Sequence, residues 1–193
     1  MVNDILIIDC GSSKVPNICN LVTDFGANIQ LVKMQDLNPE HVENCNGIII
    51  SGAPILITKS DKEKLLQPFL FLKNCQIPIL GICFGHQVIG MLFGAEMFLG
   101  KEVRTNIPIN IVYNSPLFEG IETSQIIVSQ DHTEGITLPK DFILLANSDD
   151  YPNEAMQHKT KKIFGVQFHP ETSSDLVKKI ITNFLRLCSH NNP

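Results

Sequence analysis

The sequence contains no C-x-x-C pair: its six cysteines stand at positions 10, 19, 45, 75, 83 and 188 without regular spacing. Neither a zinc site nor a disulfide framework is indicated, and such cysteine usage fits a reducing compartment. No apolar run is long enough to span a bilayer, and the first residues carry no basic n-region or small-residue cleavage site, so a cytoplasmic location is expected. Internal repeats and low-complexity segments are absent. So is any excess of positive charge: 15 Lys and Arg stand against 20 Asp and Glu, a formal net charge of -5, which gives no general footprint for nucleic acid or acidic membranes. A nucleotide-binding P-loop is missing too, and chemistry driven by a nucleotide would have to lie on another polypeptide. What remains is an ordinary globular composition, 44% hydrophobic and 18% charged over 193 residues, which fits one domain spanning 1–193 with a sizeable core.

Short apolar runs alternate with amphipathic stretches, the mark of strands joined by helical crossovers. Strands are expected at Ile5 to Asp9, Asn28 to Val32, Gly47 to Ser51 and Pro78 to Ile82. Helices fit Pro16 through Phe25, closed by Gly26, and Asp61 through Asn74, with Leu65, Leu66, Phe69 and Leu70 on one face. From about Glu96 to Phe168 the pattern changes to short β runs between turn residues, at Ile109 to Tyr113, Gln125 to Ser129, Phe142 to Ser148 and Glu154 to His158. A last helix, Asp175 to Cys188, carries Leu176, Val177, Ile180, Ile181, Phe184 and Leu185 at helical spacing for packing on a sheet. The Asn191-Asn192-Pro193 end reads as a frayed tail. The fold class is α/β, a mostly parallel open sheet flanked by helices with a smaller antiparallel portion.

The most informative segment is Gly81-Ile82-Cys83-Phe84-Gly85-His86-Gln87, preceded by the apolar Ile77-Pro78-Ile79-Leu80 and followed by Val88-Ile89-Gly90-Met91-Leu92-Phe93 at the spacing of a buried helix. A residue flanked two positions away on each side by glycine matches an elbow, where missing Cβ atoms let the chain turn sharply and hold the middle side chain exposed under strain. A thiol at a helix N-terminus faces the positive end of the dipole, which favours its nucleophilic form. The Phe84 N–H at that terminus is free to stabilise an oxyanion. A cysteine nucleophile needs a base held by a third group. Ile163-Phe164-Gly165-Val166-Gln167-Phe168 reads as an apolar strand ending on His169; Pro170 stops it, and Glu171 follows within reach of the imidazole. Beyond the carboxyl ends of parallel strands is where ligands bind in open α/β sheets.

With Gly81, Cys83, Gly85, His169 and Glu171 in place, the chain resembles the triad (class I) glutamine amidotransferases over nearly its whole length, including the opening strand and the Gly47 to Gly52 strand and turn. The resemblance implies a flavodoxin-like fold and hydrolysis of glutamine to glutamate and ammonia through a thioester on Cys83. His169 serves as base and Glu171 as its orienter, with no metal or organic cofactor. It places the second oxyanion donor in the turn Ser51-Gly52-Ala53-Pro54, where the family carries a Gly-Gly-Pro-like sequence. If position 53 needs φ > 0, alanine there is strained by ~1–2 kcal/mol. Gln87 and the main chain near Ser129-Gln130 would grip the amino-acid end of the substrate. Within the family the likeness is strongest to the glutaminase part of guanosine monophosphate synthetase, carried by Ser115 to Ile121, Leu138 to Phe142 and Glu154 to Lys159. The implied partner is therefore a synthase polypeptide, an ATP-dependent nucleotide synthetase, that receives the ammonia. Three departures lie where such a partner would bind: His132-Thr133-Glu134 in place of His-x-Asp, Glu102-Val103-Arg104 in place of Glu-Tyr-Gly, and Thr172-Ser173-Ser174 without a second histidine. Alternatives are the amidotransferase component of anthranilate or aminodeoxychorismate synthase, a binding homologue that has lost turnover, and a stand-alone hydrolase of γ-glutamyl compounds. The turn after Ser51 lacks the Pro-Gly-Pro-Gly run associated with the first of these.

Overall fold

Three runs, Ile5-Leu6-Ile7-Ile8, Ile48-Ile49-Ile50 and Ile79-Leu80, are apolar on both faces, and strands of that kind need cover on both sides. The computed structural model, which describes residues 4–189, supplies it. The elements run β1 (Asp4–Asp9), α1 (Val15–Asp24), β2 (Asn28–Lys33), β3 (Gly47–Ile50), α2 (Lys62–Leu66), β4 (Ile79–Ile82), α3 (Phe84–Leu92), β5 (Met97–Val103), β6 (Asn106–Ile111), β7 (Gln125–Ser129), β8 (His132–Ile136), β9 (Phe142–Asn147), β10 (Ala155–His158), β11 (Ile163–Val166) and α4 (Asp175–Ser189). One sheet takes the order β2-β1-β3-β4-β11-β10-β9-β6-β7, and β5 with β8 forms a separate ribbon. Pairing is parallel from β2 through β11 and antiparallel from β11 to β7.

Alternate side chains of each parallel strand point to opposite faces. Ile5, Ile7, Ile49, Leu80 and Ile82 pack with Ile18 and Val22 of α1 and with Ile180, Ile181 and Phe184 of α4. Leu6, Ile8, Ile48, Ile50 and Ile79 pack with Val88, Ile89 and Leu92 of α3 and with Phe69 and Leu72. Helix α1 is opened by Pro16 and followed by Gly26 at φ +87°, a value alanine reaches only under strain.

Three expectations need correction. The helix expected through Asn74 stops at Leu66 and continues as 3-10 turns over Gln67–Asn74. Pro68 brings no N–H and crowds the carbonyl four residues back, which an α-helix does not tolerate. The ribbon strands β5 and β8 are not marked in the sequence because charge and glycine interrupt the apolar pattern of MFLGKEV and HTEGI. The last strand's ladder ends at Val166 rather than at His169: the Gln167 N–H still reaches the Glu154 carbonyl at 2.8 Å, but the His169 N–H turns to the Ser129 carbonyl at 2.8 Å. The expected C-terminal tail lies outside the described residues. Among the described residues, no helix is long and apolar enough to cross a membrane.

Candidate active site

Strand β4 delivers the chain into α3 through a turn too tight for side chains at its flanks. A Cβ on Gly81 would sit 2.4 Å from the Gly85 carbonyl oxygen, and one on Gly85 would sit 2.3 Å from the Ile50 carbonyl oxygen. At both places the added atom would meet main chain, which cannot yield as the end of a flexible side chain can. Between the two glycines Cys83 adopts φ 51° and ψ -104°, and it is the one non-glycine residue with positive φ among the described residues. A conformation of that sort costs ~1–3 kcal/mol and persists only where its surroundings fix it. Here they do: the Cys83 N–H donates to Val166 O at 2.8 Å, and the Cys83 carbonyl accepts from Gln87 N at 3.1 Å.

The imidazole of His169 is 2% exposed, with Nδ1 2.7 Å from Glu171 Oε1. A carboxylate beside Nδ1 sets the tautomer: Nδ1 carries a proton, and Nε2 is left for the other partner, the Cys83 side chain. Burial works to lower the pKa of His169, but the hydrogen bonds and charges of Cys83 and Glu171 prevail and raise it to about 9. The imidazole therefore holds its proton at neutral pH. The Gly52 turn packs on this pair, since a Cβ there would lie 3.0 Å from His169 Cε1 and 3.7 Å from Cys83 Cβ.

Cys83 and His169 border a cavity of about 550 Å³ that also takes in Lys14, Ala53, Phe84, Gln87, Arg104, Asp131 and Glu134. Of the residues expected in the site, Cys83, His169, Phe84, Ala53 and Gln87 line this space, while Glu171 is buried behind His169 and Gly52 touches the Cys83–His169 pair. Ser129 and Gln130 do not line it. Their N–H groups are spent on Ser173 Oγ at 2.9 Å and Thr105 O at 3.1 Å, and the Gln130 side chain bonds Glu154 and His132. Ala53 does not have positive φ, so the conditional strain expected at this turn is absent, while the strain expected at the Cys83 elbow is present.

Several polar groups escaped the sequence reading. At the cavity mouth Asp131 receives Lys14 Nζ at 2.5 Å and pairs with Arg104, which also pairs with Glu102. Partial burial acts against the Asp131 charge, but Lys14 and Arg104 outweigh it and hold the carboxyl below its usual range. Lys14 had a legible signal, since it follows β1 at the carboxyl end of a parallel strand; Glu102 and Arg104 stood out only as a departure from the family's pattern. Glu134, seen in sequence only as a departure, accepts from Ile57 N at 2.7 Å and Thr58 N at 2.8 Å, and so pins the loop that walls the cavity. Among the described residues no three His, Cys, Asp or Glu side chains converge as a metal site requires.

Comparison with known proteins agrees with this geometry. The family described as glutamine amidotransferase class-I matches residues 6–188. A glutamine-hydrolyzing GMP synthase subunit of Pyrococcus furiosus is 34% identical over 188 residues, covering 95% of this chain and 98% of that one. The corresponding GMP synthase subunit of Methanosphaera stadtmanae is 38% identical over 155 residues, covering 78% and 80%. A solved structure of a candidate GMP synthase subunit from Thermoplasma acidophilum superposes with a TM-score of 0.89 at 26% identity, covering 98% of this chain and 95% of that one. The chain belongs to the class-I glutamine amidotransferases.

Proposed function

We propose that the chain hydrolyses glutamine to glutamate and ammonia on a Cys83-His169-Glu171 triad and that it is the ammonia-supplying subunit of a guanosine monophosphate synthetase. The observation that carries the reading is the strained Cys83 at the start of α3, bordering one cavity together with a His169 whose Nδ1 lies 2.7 Å from Glu171. The names of the two relatives above supply the partner.

The sulfur of Cys83 attacks the side-chain amide carbon of glutamine. Charge developing on the carbonyl oxygen is met by the Phe84 N–H and by an N–H of the Gly52-Ala53 turn. The His169 imidazolium gives its proton to the departing amine, and ammonia leaves a thioester behind. Neutral His169 then takes a proton from water, which adds to the thioester and releases glutamate. Glu171 holds the imidazole in the one tautomer that serves both steps. At the mouth, Lys14 and Arg104 against Asp131 and Glu102 make two cations and two anions, a balance suited to the zwitterionic end of an amino acid. Gln87 borders the same space. Ser129 and Gln130 serve from behind, Ser129 by holding the His169 main chain. Against the alternative of an inactive binding homologue stand the intact Cys83, His169 and Glu171.

The test uses glutamine labelled with heavy nitrogen in its side-chain amide, the chain, an ATP-dependent nucleotide synthetase and its acceptor nucleotide. The expected result is label in the exocyclic amino group of guanosine monophosphate, abolished in Cys83→Ala. Glutamine consumption with no label transferred in any mixture would refute the partner assignment; no consumption by the complete mixture would refute the glutaminase reading.

A further inference from the structure

Resting on the nucleophile reading just given, we infer that Gln167 is a further catalytic residue, an amide donor whose direction toward the Cys83 sulfur is dictated by a main-chain carbonyl two side chains away. Gln167 is fully buried, and its Nε2 lies 3.7 Å from Cys83 Sγ. Its Oε1 accepts from Gln87 Nε2 at 3.1 Å, and the same Gln87 nitrogen donates to the Glu134 carbonyl at 3.0 Å.

The order of atoms follows from the chemistry of the groups. A main-chain carbonyl can only accept. Glu134 O therefore requires the NH2 side of the Gln87 amide to face it, and that NH2 carries a second hydrogen, which points at Gln167. The facing atom of Gln167 must then be an acceptor, its oxygen, and the opposite end of the amide, its NH2, faces the sulfur. Neither amide can be turned over without setting two acceptors or two donors against each other in a buried site. The main chain fixes the far end as well, through Gln167 N to Glu154 O at 2.8 Å. An N–H held in this way at a sulfur stabilises negative charge on it, in the thiolate and when the sulfur leaves from the thioester, without reorganisation at the moment of reaction. Because Gln87 Nε2 is engaged by Glu134 and Gln167, its part in the site includes orienting Gln167.

Alkylation of Cys83 by iodoacetamide, followed by mass mapping over a range of pH, reads this role without glutamine turnover. In Gln167→Met, which keeps the volume and removes the donor, alkylation at neutral pH should slow about tenfold and its pH profile should move upward, the size expected for a lost hydrogen bond to a charged group. Gln167→Glu should slow it further and recover as pH falls. In Gln87→Met the Gln167 amide is released to turn, and a smaller slowing in the same direction is expected; this variant carries the test if the Gln167 variants do not fold. An unchanged rate and profile in folded Gln167→Met, or in Gln87→Met where it alone folds, would overturn the inference while leaving Cys83 the preferred site of labelling. Loss of preferential labelling in the wild type would instead overturn the nucleophile reading itself.

Discussion

The two halves of the sheet divide the labour. In the parallel half, β1, β3, β4 and β11 are buried almost end to end. In the antiparallel half, β7 alternates between exposed and buried positions, with Ile127 63% exposed, and β6 and β9 are only half-buried at several positions. A strand covered on both faces offers only its end to a ligand, and it is from the end of β4 that Cys83 emerges. A sheet with one open face can keep polar side chains along it, and Asp131 stands between β7 and β8, strands outside the parallel half. His169 and Glu171 follow β11, the strand where pairing changes from parallel to antiparallel. Damage should therefore differ in kind: to chemistry at the seam, to fold and chemistry together in the parallel half, to substrate affinity at the mouth.

The largest loss is expected at the seam. His169→Ala should lower the glutaminase rate by ~10⁴ with the fold retained, the scale on which single triad members act; steady-state glutamate release beside a melting curve checks both. Glu171→Gln should cost less, ~10²–10³, and should also move the pH profile. His169 is raised from 6.5 to about 9, so its contribution to stability is full below about pH 6.5 and is lost as pH rises through about 9. Activity should fall along the same limb. Since Glu171 is one of the groups that raise His169, that limb should begin at lower pH in Glu171→Gln. A limb that stays in place would remove Glu171 from the orienting role.

In the parallel half, Gly85→Ala forces a Cβ to 2.3 Å from Ile50 O, and overpacking against backbone should cost about 3 kcal/mol or more of stability and take the activity with it. Denaturant titration gives the first number. Gly26→Ala makes the contrast, because its added Cβ meets open space; the positive φ alone should cost ~1–2 kcal/mol with activity unchanged. At the mouth the change should be confined to substrate affinity. Asp131→Asn should raise KM for glutamine by about tenfold, near the value of one charge-assisted contact, with kcat and melting temperature close to wild type. A change in kcat alone would separate Asp131 from substrate binding.

The same contrast explains what could be read in advance. The strands β1, β3 and β4 announce themselves by isoleucine and leucine, and the elbow by two glycines at which an added Cβ would lie 2.4 and 2.3 Å from a main-chain carbonyl oxygen. The His169-Glu171 pair was legible because its members are two residues apart. Glu102, Arg104, Asp131 and Lys14 come from three separate stretches and meet only through the fold; the position of Lys14 after β1 hinted at the site, but nothing local shows that the four converge. Gln167 lay inside a segment read as a strand, where a polar residue counts as an interruption; its meaning depends on Gln87, eighty positions away. The turn at Ala53 misled for another reason. Strain at Ala53 was conditional on a positive φ that its backbone does not adopt, whereas the strain read at the Cys83 elbow is present.

The central claim is that Cys83 alone among six cysteines is built to react. Burial raises the other five thiols, Cys10 and Cys188 to about 12, Cys45 to about 11, and Cys19 and Cys75 in the same direction. Treating the protein with a substoichiometric glutamine-like electrophile and mapping the adduct by mass tests this most directly. The account predicts one adduct, on Cys83, with glutaminase activity lost in proportion to it and with glutamine protecting. Labelling spread evenly over the cysteines, or full adduct on Cys83 with activity retained, would contradict it.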